Sequence, residues 1–332
     1  MRPRSRNPRR TGRRGAASPA TRRSVFALAA SGLIVAVFLL RGLQKESPDQ
    51  PQTSLSASPS PALSSALRPG APDFETSLVD MIHQHGYLTA TVHVALFDQH
   101  RAGRPRPLAD GNNPKTNLYW GALFGIETHF ANAAGWRRAY TDNGDGAGII
   151  RRVVFQRRSE PTIAWRARGV TKSFDVFVLA NAWPSSRIVD SMEQPLRDAL
   201  CGEVVALPVD GRTLQFAGAS AVVGYVGQNH MLDEYWDPFA ALGDCSSERQ
   251  VGVFYLCPRS AVVLHKPVVN HGLYSVLFTR SAVTPEAYLV DGMFKALLSG
   301  ELGDGFVADA AAEYARYQKS VSFRRAESML IR

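Results

Sequence analysis

From Asp73 onward the apolar and polar positions of the chain switch between two periods. In "FETSLVDMIHQ" the residues Phe74, Leu78, Met81 and Ile82 form a helical stripe. "TATVHVALFD" reads as a strand with His93 inside it, and "NLYWGALFGIETHF" as a helix after a long turn. "IIRRVVFQRR" is strand-like but charged, which places it at a sheet edge or in an added hairpin. "FDVFVLANAW" is a second buried strand, followed by the helix "RIVDSMEQPLRDALC". Three more apolar strands are "ASAVVGYVG", "VGVFYLC" and "GLYSVLFT". "TPEAYLVDGMFKALLSG" carries helix punctuation: Thr284 can cap, Pro285 suits the first turn and Gly300 can close it. A last helix is predicted over "FVADAAAEYARYQK".

Near-continuous apolar strands interleaved with helices predict an α/β fold. The expectation is a single domain over residues 73–332, with a mainly parallel sheet covered by helices on both faces. No internal repeat is evident.

The chain of 332 residues has a formal charge of +9, which suggests nucleic-acid binding until the arginines are located. Residues 1–23 form an arginine-rich tail holding nine of the 38 basic side chains and no acidic one. The remainder carries 29 basic against 29 acidic side chains, so the body is neutral and offers no domain-wide footprint for phosphate. Residues 24–40 contain the uncharged run "VFALAASGLIVAVFLL", a transmembrane anchor or signal segment. As a helix that run rises roughly 24 Å against a ~30 Å hydrocarbon core. The preceding arginines put the N-terminus in the cytosol and the body outside. "TRRSVF" is similar to a twin-arginine export signal, and the lack of a clean A-x-A site after it favours an uncleaved anchor. Residues 41–72, rich in Ser, Pro and Ala, read as a linker. The expected location is therefore the cytoplasmic membrane, single-pass with the C-terminal domain outside, or export to the periplasm if the segment is cleaved. Cys201 and Cys245 could join in that compartment and leave Cys257 odd; unpaired buried thiols are the default.

In open parallel sheets ligands settle at the carboxyl ends of strands. That filter selects Asp98 and the loop "ADGNNPKTN" after the first strand, Asn181 and Trp183 after the second, and Gln228, Asn229 and His230 after the third. Cys257 follows the fourth strand, with Thr279 and Arg280 after the fifth. His271 precedes its strand and belongs to the opposite edge, and His83 and His85 read as solvated side chains on a helix. Asn117 and Tyr119 begin the "NLYWGALFG" helix on the ligand rim, where Gly121 and Gly125 share a face that packs on the sheet. "DNGDG" reads as a turn, since it lacks the spacing of a calcium loop. No zinc spacing, phosphate-cradling loop or dinucleotide fingerprint is present, so no cofactor is expected.

A strand ending in a Gly-His turn, followed by a strand ending in cysteine, resembles the caspase and legumain group of cysteine peptidases. Residues 219–260 carry this likeness, which implies a caspase-like three-layer sandwich. "HVALFDQHRAG", "DGNNPKTNLYWGALFG", "YVGQNHMLD" and "TPEAYLVDG" are similar to a family of uncharacterised bacterial proteins with wording near "NLYWGALYG" and "YVGHNGLMD". That second resemblance implies a fold and a suspected site and no reaction. Against its pattern, Gln228 replaces the histidine and His230 the glycine. Glutamine takes no proton at ordinary pH, and loss of a general base typically costs ~10²–10⁴ in rate. His230, two positions on in an extended segment, points to the same side and is the substitute base. Tyr255 and Leu256 also stand where the peptidases often have a small or acidic residue.

Three readings of Cys257 follow: a nucleophile served by His230, part of a disarmed or binding site, or an inert buried thiol. The expected function is an exported or tethered domain with a carboxyl-edge cleft of Asp98, Asn117, Tyr119, Gln228 and Asn229, binding a peptide or small-molecule ligand. The alternative is a cysteine hydrolase using Cys257 and His230. Beyond the membrane at residues 24–40, no partner is specified and nucleic acid is excluded.

Overall fold

The computed structural model describes residues 67–332, apart from Ala102, Gly103, Pro107, Ala147 and Tyr235. The predicted tail and membrane segment, and the linker up to residue 66, lie outside the described residues. Among the described residues no helix is long and apolar enough to cross a membrane.

Asp73 caps the first helix, α1 (Phe74–His85), its carboxylate accepting the Thr76 N–H at 2.8 Å. Strand β1 (Tyr87–Ala95) follows, then a short hairpin of β2 (His100–Arg101) and β3 (Arg104–Pro105), and helix α2 (Ile126–Asn132). Strands β4 (Arg137–Asp142) and β5 (Arg151–Ser159) form a second hairpin, followed by helix α3 (Ile163–Ala167), strand β6 (Phe174–Trp183) and helix α4 (Ile188–Cys201). A third hairpin, β7 (Val204–Val209) and β8 (Arg212–Ala217), precedes the central strands β9 (Val222–Val226) and β10 (Gly252–Leu256). Helix α5 (Lys266–Asn270), strand β11 (Tyr274–Thr279), helices α6 (Ala287–Ser299), α7 (Asp304–Tyr317) and α8 (Phe323–Ser328), and strand β12 (Leu330–Ile331) complete the domain.

Eight strands form one sheet in the order β12-β11-β10-β9-β1-β6-β5-β4. The five apolar strands, β6, β1, β9, β10 and β11, run parallel, and the antiparallel additions lie outside them. The sheet is thus mostly parallel and flanked by helices. Alternation along β1 explains both covered faces. Leu88, Ala90, Val92 and Val94 face the core shared with α1 and α6, while Ala95 lies on the opposite face, in the core shared with α4. The β7–β8 hairpin covers Phe177 and Leu179 of β6 on that second face.

As expected, "IIRRVVFQRR" lies in an added hairpin, as β5, and the edge strand is β4, with exposed Arg137 and Arg138 and a register shift between Arg138 and Tyr140. Two expectations change. "NLYWGALFG" is a series of tight turns, and helix begins only at Ile126. The carbonyl of Asn117 accepts the N–H groups of Trp120, Gly121 and Ala122 at 3.2, 3.0 and 2.9 Å, while its side chain holds Tyr119 N–H at 3.1 Å. An asparagine that takes over its neighbours' backbone in this way competes with the helix ladder. Helix α6 begins at Ala287 with Glu286 at its cap position, so Thr284 does not cap; Gly300 closes it in a left-handed conformation, as its sequence position suggests.

Gly224 in β9 sits directly opposite Phe254 of β10, and a Cβ there would lie 2.3 Å from the phenyl ring. Gly224→Ala should therefore lower unfolding stability by about 1–3 kcal/mol, read as a shifted denaturant midpoint at constant slope.

Candidate functional site

From β1 the chain moves one way to β6, then returns to β9 and continues to β10 and β11 on the other side. The crevice between β1 and β9 is therefore the topological switch point, where the loops at the carboxyl ends diverge. A cleft of about 360 Å³ lies there, lined by Asp98, Asn112, Ser185, Ser186, Ile188, Gln228, His230 and Asp233. Each wall comes from a different strand end: Asp98 follows β1, the serines follow β6, and Gln228 to Asp233 follow β9.

The floor is braced by hydrogen bonds. Ser185 Oγ donates to Asp98 Oδ2 at 2.8 Å, and Ser185 N–H donates to Gly111 O at 2.9 Å. A Cβ at Gly111 would come within 2.0 Å of Ser185 Oγ, so only glycine lets this loop close on the serine. On the other wall Tyr225 Oη donates to Gln228 O at 2.8 Å and fixes the turn after β9. His230 Nε2 lies 3.6 Å from Glu234 Oε2, one turn along the same segment.

Beneath the cleft runs a buried polar row. His93 is level with Asn181 of β6 and Tyr225 of β9. Trp183 Nε1 donates to His93 Nδ1 at 3.0 Å, which leaves the ring proton on Nε2, 2.9 Å from Asp198 Oδ2 of α4. Gln194 Nε2 donates to the other Asp198 oxygen at 2.9 Å. This row fastens α4 to the sheet. Asn181 and Trp183 belong to β6 itself and not to the loop beyond it.

The adjacency expected of the third and fourth apolar strands is present, because β9 pairs with β10 and Val226 stands level with Leu256. The cleft nevertheless gathers only Asp98, Gln228 and His230 from the sequence-derived candidates, with Asn112 of the selected loop. Cys257 is 0% exposed, within the core built on Tyr225, Tyr255 and Leu264. Burial pushes its thiol far above the ordinary cysteine range, with the Ser260 hydroxyl opposing this only in part. Such a thiol is a core side chain, and His230 faces the cleft and Glu234 instead. Asn229 is buried, its amide donating to Pro258 O at 2.7 Å and its carbonyl accepting Met231 N–H at 3.1 Å, so it ties the two strand-end loops together. Asn117 is fully buried and fully engaged, also bridging Phe97 N–H and O at 3.0 and 2.8 Å and Asp110 O at 3.0 Å. Tyr119 is buried against Phe97, its ring centroid 5.4 Å away.

Ser185, Ser186, Ile188 and Asp233 line the cleft without having been selected. The strand-end filter stops at Trp183, two residues short of Ser185, and a displacement of that size is what a fixed window misses. At the cap of α6, Glu286 is buried and its carboxyl is raised to about 7, because desolvation disfavours its charge and only the Tyr288 hydroxyl opposes this. The two remaining cysteines, Cys201 and Cys245, form a disulfide, in place of the unpaired thiols taken as the default. Among the described residues no group of three or more His, Cys, Asp or Glu side chains is placed to hold a metal.

No protein-family model, no curated protein and no solved structure matches the chain. The two resemblances noted in the sequence therefore rest on their motifs.

Three outcomes follow from this geometry. Native protein should resist iodoacetamide at Cys257 until denaturant is added, as mass spectrometry of the labelled peptide would show. His93→Ala leaves the Asp198 carboxylate buried without its ring partner and should cost about 3–5 kcal/mol in chemical denaturation. Glu286 has a folded pKa above its unfolded value, so its contribution is complete below pH ~4.5 and is lost as pH rises through about 7. Glu286→Gln, which mimics the neutral acid, should stabilise the protein by up to about 3 kcal/mol at pH 8 and by nothing measurable at pH 4.

Proposed function

We propose that this is an exported or membrane-tethered binding module without hydrolytic activity, whose switch-point cleft takes a small ligand rich in hydroxyl or amine groups. The observation that carries the reading is the contrast at the carboxyl edge: an open cleft of polar side chains stands beside a sealed thiol. The lining supplies carboxylate acceptors from Asp98 and Asp233, amides from Asn112 and Gln228, hydroxyls from Ser185 and Ser186, and the His230 ring. No lysine or arginine is among these lining residues, which disfavours an anionic ligand, and Ile188 gives one apolar contact. This inventory suits a sugar or amino sugar, whose hydroxyls both donate and accept.

The cysteine-hydrolase alternative has little support, since Cys257 has neither access nor a base. A caspase-like sheet that keeps its architecture without its chemistry is the finer reading. Placement outside the cytoplasm is supported by the Cys201–Cys245 disulfide, a bond that persists in oxidising compartments, together with the arginine tail and apolar run at residues 1–40.

Titration calorimetry of the full chain against a panel of monosaccharides and amino sugars tests the proposal. A ligand that binds should lose about 10–100-fold in affinity with Asp98→Ala or Asp233→Ala, the size expected for one charged hydrogen bond. Cys257→Ala should bind as the parent does. Peptide or ester hydrolysis that vanishes with Cys257→Ala would overturn the reading.

A further inference from the structure

The connection between β9 and β10 spans residues 227–251; its described residues form two short 3₁₀ turns, at His230–Leu232 and Ala240–Leu242, and a bridge from Ser247 to Leu67. Its first part is a wall of the cleft, through Gln228, His230 and Asp233. Its ties to the rest of the domain are unevenly distributed. Asn229 anchors the start, through Pro258 O. Arg249 anchors the end, its guanidinium donating to Gly218 O and Ser220 O at 3.0 and 2.8 Å.

Further ties lie just before Arg249, where Ser247 O accepts the Arg68 N–H at 3.2 Å and Glu248 pairs with Arg68 at 2.7 Å. Ahead of these, the bonds of residues 230–245 stay local. Asp233 and Glu234 N–H donate to His230 O, Ala240 to Asp237 O, Leu242 to Phe239 O and Cys245 to Leu242 O. His230 pairs with Glu234, and Asp237 accepts Phe239 N–H. Among the described residues, no hydrogen bond or ion pair made by residues 230–245 leaves residues 229–245. Apolar packing of Met231, Trp236, Phe239 and Leu242 holds it to the domain, with Phe239 stacked on His271 at 4.0 Å. The remaining attachment is covalent: Cys245 is bonded to Cys201, the last residue of α4. Both cysteines are partly exposed. Helix α4 thus meets the segment at both ends, since Ile188 at its start lines the cleft opposite His230.

We infer that residues 230–245 form a flap clasped by the Cys201–Cys245 disulfide, and that reducing this bond opens the flap and dismantles one wall of the cleft. A segment with few bonds to its surroundings opens at low free energy, independently of the sheet. The co-reactant is a dithiol. One of its thiolates attacks a sulfur of the disulfide, forming a mixed disulfide and releasing the other protein cysteine as a thiol. The second thiol of the reductant then resolves the mixed disulfide. Two electrons pass to the protein, which ends with two thiols, and the reductant ends as a disulfide. Oxidised protein is the binding-competent form and reduced protein the open one. The opening is independent of what the cleft binds; only its consequence for affinity rests on the proposed function.

The test is hydrogen exchange read by mass spectrometry on the full chain, before and after treatment with dithiothreitol without denaturant. Alkylation should then add two groups, at Cys201 and Cys245, with Cys257 protected. Amides of residues 231–245 should exchange at least tenfold faster, while those of β1, β9 and β10 keep their rates. The Cys201→Ser/Cys245→Ser double variant should reproduce the reduced pattern; if it does not fold, the reduced parent protein carries the test. A bond that resists dithiothreitol in the native protein overturns the inference, as does unchanged exchange in 231–245. Loss of protection in the central strands also overturns it, because the bond would then be a staple of the whole domain. If no sugar binds either form, the cleft reading fails while the flap result stands.

Discussion

Val92, midway along β1, has Ala180 of β6 on one side and Gly224 of β9 on the other. These two parallel ladders constrain the rest of the domain. Pairing β1 on both edges places the carboxyl ends of β6, β1 and β9 side by side, and the chain can reach both neighbours only by reversing direction. The loops must then part above β1, and the cleft is the space they leave. The same pairing buries both faces of the sheet, so every polar group on these strands needs a partner inside. His93 has two, in Trp183 and Asp198, and through them the helix that bounds the cleft is held to its floor.

Most of this frame was legible in the sequence. Strands buried on both faces read as unbroken apolar runs, and five such runs became the five parallel strands. What escaped was structure whose cause is local chemistry and not periodicity. The β7–β8 hairpin carries a clear signal that went unread, Asp210-Gly211, with φ of 51° and 77° at the turn. The "NLYWGALFG" segment has helical spacing, yet Asn117 redirects its backbone bonds and the glycines close turns. The same asparagine is a candidate that does not line the cleft. A buried amide with all its bonds made resembles, in sequence, one waiting for a ligand.

Cys257 makes the related point about reactivity. Strand polarity put it level with the turn that carries Gln228, as its sequence position suggests, but adjacency along a sheet does not fix which side of the strand a side chain leaves from. Cys257 enters the core under α4, among tyrosines and leucines that exclude water. His230 leaves the following turn toward solvent. Geometry thus separates two groups that spacing alone brings together, and the polar groups that do converge line the cleft.

The ends of the sheet carry a consequence of a different kind. One border is β12, two residues long; the other is β4, bulged near Arg138, with Arg137 engaged by Asp210 and Arg138 by Glu127. The one is too short, and the other too irregular and charged, to offer a long flat edge. Short length at one border, and a bulge with paired charges at the other, are the features by which exposed sheet edges resist strand-to-strand extension.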